Sequence, residues 1–118
     1  MARLIITEIR DDTTKPWIVV TPESTHSDLY TSAEIDILKL TMSAIHSLPG
    51  YEGASHSFPD DKTHILTMQF DTLLNAQNAQ TTLDNPEPNS LFDLRRTFLI
   101  NKRSSLGIRY NVTLEAIE

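Results

Sequence analysis

The stretch from His64 to Leu83 most constrains the fold, because it reads as a buried strand that runs directly into a helix. Apolar and polar residues alternate from Leu66 to Phe70, which is typical of a strand with one buried face. Asp71 or Thr72 then follows, and either side chain can accept a free N–H of the first helical turn. A strand that turns into a helix so abruptly is half of a βαβ unit. We expect this stretch to act as scaffold.

The other elements follow from periodicity and from capping and turn residues. The predicted elements, in chain order, are a strand at 3–10, a short edge strand at 17–20, a helix capped by Thr31 and Glu34 that ends at Pro49, strands at 51–58 and 63–70, the helix after Thr72, and a last strand at 108–116. Residues 90–104 fit a third helix capped by Ser90 but also fit a strand, and Arg95 falls inside the apolar arc of that helix.

This order predicts one α+β domain over residues 1–118, of the ferredoxin-like split βαβ type (βαββαβ). An antiparallel sheet would carry the helices on one face, with an extra short strand and an extra helix. Because the first strand is apolar on both faces, we expect a partner to cover the open face. The expected interface residues are Leu4, Ile6 and Trp17, with Arg95, Arg96, Lys102 and Arg103 as an electrostatic contribution.

Composition narrows the functional classes. The chain has a net charge of −6, which argues against general nucleic-acid binding, although residues 94–118 hold five basic and two acidic side chains. It contains no cysteine, so thiol catalysis and thiolate metal sites are excluded. No apolar run is long enough to span a bilayer, and no signal-peptide pattern is seen, so we expect a cytoplasmic, reducing compartment and no membrane partner.

The four histidines are the main candidates for acid–base or metal chemistry. A four-residue loop at 59–62 would place His56 and His64 on opposite faces of the hairpin, and a change of one residue in the loop would bring them opposite each other. Two histidines with one nearby aspartate leave a metal site short of ligands. No serine or threonine lies in a nucleophile-elbow or P-loop context. We therefore predict no catalytic residue, metal or cofactor.

Two family resemblances accompany these patterns. The strand–helix junction MQFDTLLNAQNA, after a hairpin and an earlier helix, resembles proteins of the antibiotic-biosynthesis-monooxygenase type, which are dimeric α/β barrels. None of that family's catalytic polar residues can be matched here. The layout from Pro16-Trp17 to Leu106-Gly107-Ile108 is similar to small proteins of tailed bacteriophages. That similarity implies a structural role in a virion, and a location in the host cytoplasm during assembly.

The sequence therefore favours a non-enzymatic structural, assembly or protein-binding module, a bacteriophage virion component, that forms a homo-oligomer or joins a larger assembly. The alternative is a dimeric monooxygenase-like enzyme or a small-ligand-binding protein. Its pocket would be lined by Trp17, Met42, His56, Met68 and Tyr110. A third possibility is a nucleic-acid or host-factor binder that uses the basic C-terminal end.

Overall fold

A computed structural model describes residues 1–118. Its elements are β1 (Ala2–Arg10), a 3₁₀ helix (Pro22–His26), α1 (Ser32–His46), β2 (Tyr51–Asp60), β3 (Thr63–Phe70), α2 (Leu73–Asp84), α3 (Leu91–Ser105) and β4 (Tyr110–Ile117). The four strands form one antiparallel sheet in the order β2-β3-β1-β4. The predicted ferredoxin-like α+β fold is confirmed. Residues 90–104, which fitted both a helix and a strand, form the additional helix α3.

Side-chain caps fix where the three α-helices begin. The Oγ1 of Thr31 accepts from the N–H of Glu34, and the Glu34 carboxylate accepts from the N–H of Thr31, which completes the predicted capping box. Thr72 caps α2, and Ser90 caps α3 by accepting from the N–H of Asp93. The hydroxyl of Ser90 thereby stabilises the helical alternative for this segment.

The main core lies between the sheet and α2. Ala76 and Ala79 are almost fully buried, and their small side chains let α2 approach the strands closely. Leu4, predicted to lie in an interface, is instead fully buried in this core, and Ile6 packs against it. The physical reason is the strand period of two, which turns the even-numbered residues of β1 toward the helices. Self-association through the opposite face, which carries Ile5 and Ile9, stays a prediction.

The predicted short strand at 17–20 is not present. The segment is extended and buried, but side chains rather than a neighbouring strand satisfy its backbone. The N–H of Ile18 donates to the hydroxyl of Tyr110, and the carbonyl of Ile18 accepts from Nε and Nη2 of Arg103. These bonds fasten the segment across the end of the sheet.

The register of the β2–β3 hairpin differs from the predicted one. Asp60 pairs with Thr63 across a two-residue turn, whereas Ser57 pairs with Ile65 and His56 with Leu66, so one extra residue is accommodated between Ser57 and Asp60. Because side chains alternate between faces, this β-bulge turns His56 to the same face as His64. The prediction that the two imidazoles lie on opposite faces is therefore wrong.

None of the three α-helices combines the length and the apolar character that crossing a bilayer requires.

Candidate functional site

A cavity of about 800 Å³ lies under α3. The helix packs against α1 rather than against the strands, so a space remains between it and the sheet. Thirteen of the 22 lining residues are hydrophobic, so the walls are mostly apolar. Ile6, Leu66 and Leu114 contribute from the sheet, and Phe92 and Leu99 contribute from α3.

Four hydrogen-bonded polar side chains form a chain that begins at this cavity. It runs along one face of the sheet, from β1 over β3 to β2. Nη2 of Arg103 donates to Oε2 of Glu8 at 2.6 Å, and Oε1 of Glu8 lies 2.8 Å from Nδ1 of His64. Nε2 of His64 lies 2.9 Å from Nδ1 of His56. Glu8, His64 and Arg103 are all buried, and His64 is fully so. The strands β1, β2 and β3 and the helix α3 each supply one member of this polar chain.

The charge of Glu8 sets the direction of the hydrogen bonds in the polar chain. Burial by itself would raise the pKa of Glu8, but the bond from His64 and the charge and bond of Arg103 outweigh it and lower that pKa. The ionised carboxylate only accepts, so Nδ1 of His64 donates to it. When each ring carries one proton, Nε2 of His64 accepts from Nδ1 of His56. Nε2 of His56 is then a free lone pair.

His56 ends the polar chain at a second, more open cavity of about 520 Å³, which we call the aromatic groove. Trp17, Tyr30 and Phe58 contribute rings to its walls, and the rings of Trp17 and Phe58 meet edge to face at 5.2 Å. Burial, followed by the charge of His64, lowers the pKa of His56 and favours its neutral form. No protein group bonds Nε2 of His56, and this atom is not sealed from solvent.

Tyr30 contributes to the wall of the same groove, and its hydroxyl is buried without a hydrogen-bond partner. Burial raises the pKa of Tyr30 to about 12, so the group stays protonated. A buried O–H that lacks a partner is uncommon in folded proteins.

Two arginines of α3 line the first cavity but differ in their surroundings. Arg103 donates to Glu8 and to the carbonyl of Ile18, and its guanidinium stacks on the Tyr110 ring at 3.9 Å. Arg95 makes a single long contact, from Nη1 to Oγ1 of Thr41 at 3.4 Å, and has no carboxylate partner. Burial lowers the pKa of Arg95 to about 10.

The structure places the remaining predicted residues as follows. Met68 and Tyr110 line the first cavity, whereas His56 and Trp17 line the aromatic groove. Met42, predicted to lie in a pocket, packs instead against a small second core around Leu38. The four residues predicted as an electrostatic interface lie in different settings: Arg103 is buried, Arg95 is inside the cavity, Arg96 is exposed at its lining, and Lys102 pairs with Glu34 at 3.1 Å. No group of three or more His, Cys, Asp or Glu side chains is arranged to hold a metal ion.

Glu8 is the residue of the candidate site that sequence reasoning missed. A signal was present, because Glu8 continues the buried face of β1 two residues after Ile6. A carboxylate at such a position is rarely buried unless it is paired. His64 was expected to serve the scaffold alone, and it is instead the centre of the polar chain.

No protein-family model and no curated protein matches the chain. A solved structure described as an antibiotic biosynthesis monooxygenase from Deinococcus radiodurans has a TM-score of 0.45 and 14% identity, and the match covers 100% of this chain and 91% of that one. At this identity and score the likeness says nothing about activity. The predicted similarity to bacteriophage proteins finds no support.

Proposed function

We propose that this protein binds a small, mostly apolar organic molecule in the cavity between α3 and the sheet. The observation that carries the proposal is the cavity itself, which measures about 800 Å³ in a chain of 118 residues. The cavity is partly open to solvent, as a pocket that admits a ligand must be. Ligand pockets commonly measure about 300–1,000 Å³ and combine apolar walls with a few polar groups, which describes this cavity.

The uncharged fluorescent probe N-phenyl-1-naphthylamine tests this proposal. We expect saturable binding to the wild-type chain and its loss in Leu114→Trp, because the indole would project from β4 into the cavity. Thr113→Trp is the matched control, since the neighbouring residue is exposed on the other face of the same strand. Probe binding that is absent in the wild type, or that persists unchanged in a folded Leu114→Trp variant, would contradict the proposal.

An acid–base enzyme is a second candidate function, and the free Nε2 of His56 favours it. A molecule in the aromatic groove could transfer an O–H proton to this nitrogen. The imidazolium so formed would keep its Nδ1–H bond to Nε2 of His64, which Glu8 holds in turn. A neutral histidine that a second group holds in position is an arrangement that general-base catalysis uses, and the lowered pKa of His56 favours its neutral form.

Histidine tautomers test this second candidate directly. In ¹⁵N-labelled protein near neutral pH, long-range ¹H–¹⁵N correlations should show the proton on Nδ1 of both His56 and His64. The two histidines outside the polar chain, His26 and His46, serve as internal references. A proton on Nε2 of His56 under these conditions would remove the free lone pair and with it the candidate base.

A further inference from the structure

We infer that the molecule held in the cavity is a carboxylate, and that Arg95 pairs with its negatively charged group. The inference rests on the proposed binding function and adds the chemical class of the ligand. It starts from the contrast between two arginines that α3 presents to one cavity.

The contrast lies in how many donors each guanidinium uses. A guanidinium has five N–H donors in a planar fork. Both Nε and Nη2 of Arg103 are engaged with the protein, and Glu8 neutralises its charge. Arg95 uses one donor, in a contact of 3.4 Å with a neutral hydroxyl. Its Nε and Nη2 make no bond within the protein.

Arg95 lies at the cavity with these donors unused. The side chain is half-buried, and it belongs to the cavity wall. It projects from the apolar arc of α3, between Phe92 and Leu99, which also line the space. A charge among apolar neighbours is unfavourable unless an opposite charge accompanies it. Glu8 makes no hydrogen bond to Arg95, and its carboxylate is already bonded to His64 and Arg103.

The charges around the cavity also select an anion. Four arginines and two carboxylates line it, although the chain as a whole carries a net charge of −6. One of the two carboxylates is Glu8, and the other is Asp84 at the end of α2. A carboxylate matches the planar fork of arginine with two parallel hydrogen bonds. The apolar walls would contact the rest of the ligand.

A matched pair of probes tests the inference. 2-Naphthoate and 2-naphthamide have nearly the same shape and differ in charge, and calorimetry can measure the binding of both. We expect the wild-type chain to bind naphthoate about tenfold or more tightly than naphthamide, as one charge-assisted hydrogen-bonded pair would give. Arg95→Met should reduce this preference to about twofold or less.

One further variant and one further measurement make the result specific to Arg95. Lys39→Met removes one positive charge from the exposed side of α1 and should leave the preference intact. Arg95→Met should also raise the melting temperature of the ligand-free protein, because it removes a charge without a partner. A structural arginine would show the opposite shift. If Arg95→Met fails to fold, that failure assigns Arg95 a structural role and overturns the inference.

The outcomes separate this inference from the proposed function. Equal binding of the two probes, or a preference that survives in Arg95→Met, would overturn the carboxylate assignment and leave the binding cavity standing. The absence of naphthoate binding would overturn it as well. Absence of naphthoate, naphthamide and N-phenyl-1-naphthylamine binding together would overturn the proposed function itself.

Discussion

Replacing Glu8 with glutamine should cost this protein far more stability than the same change at a partly exposed position. Glutamine keeps the shape of the side chain but removes the charge that Arg103 faces at 2.6 Å. Removal of one partner from a buried ion pair typically lowers the free energy of unfolding by about 3–5 kcal/mol. Arg103 retains its bonds to the carbonyl of Ile18, so we expect the lower end, about 3 kcal/mol. That is a large part of the roughly 5–15 kcal/mol that stabilises a typical domain.

Urea unfolding followed by circular dichroism measures this effect. With a slope of about 2 kcal/mol per molar urea, Glu8→Gln should lower the midpoint by about 1.5 M. The matched control is Glu34→Gln, because Glu34 pairs with Lys102 but its side chain is 23% exposed. Glutamine can keep the capping box there, so the expected cost is about 1 kcal/mol or less. Equal losses in the two variants would refute the argument that the buried polar chain is charge-balanced through Glu8.

Two other predictions concern His56 and Gly50. The folded-state pKa of His56 is lowered from 6.5, so its contribution to stability is present above about pH 6.5 and lost as the pH falls through the folded pKa. His56→Gln should therefore flatten the fall in urea midpoint between about pH 7 and pH 5, and an unchanged slope would contradict this. Gly50→Ala should destabilise more than Gly107→Ala, as thermal melts can show. Both glycines have positive φ (76° and 73°), but a Cβ at Gly50 would also overlap the Asp71 carboxylate, whereas Gly107 faces open space.

The fold was predictable because its signals are local. Alternation marked β3, and hydroxyl caps marked the starts of the helices, so the element order and the ferredoxin-like arrangement followed from short stretches of sequence. The segment at 17–20 was misassigned as a strand for a different reason. Its backbone partners are the side chains of Arg103 and Tyr110, which lie 85 and 92 residues away in the sequence. The periodicity of a short stretch of sequence cannot indicate hydrogen bonds between residues so far apart in the chain.

The candidate site was only partly predictable. Arg95 lies in the apolar arc of α3, an anomaly visible in the sequence, and the structure shows it inside a cavity. Reading the basic end as an electrostatic interface treated all its charges alike, although burial separates Arg103 and Arg95 from Arg96. The virion interpretation depended on layout, and no comparison supports it. A closed core would have favoured that module, whereas the observed cavity favours ligand binding.

The site arises where regular structure is interrupted at two places. The first is the bulge near Pro59, a residue that is compatible with β2 because β2 lies at the edge of the sheet and the bulge relieves its pairing. Without the extra residue, His56 would point to the open face, and His64 would lose its second partner. The second is α3, which packs on α1 and leaves space above the strands. Both interruptions adjoin the polar chain that contains Glu8 and His64. Selection for stability alone would favour a regular hairpin and a filled core. The occurrence of both interruptions at one polar chain therefore supports a functional origin for the site.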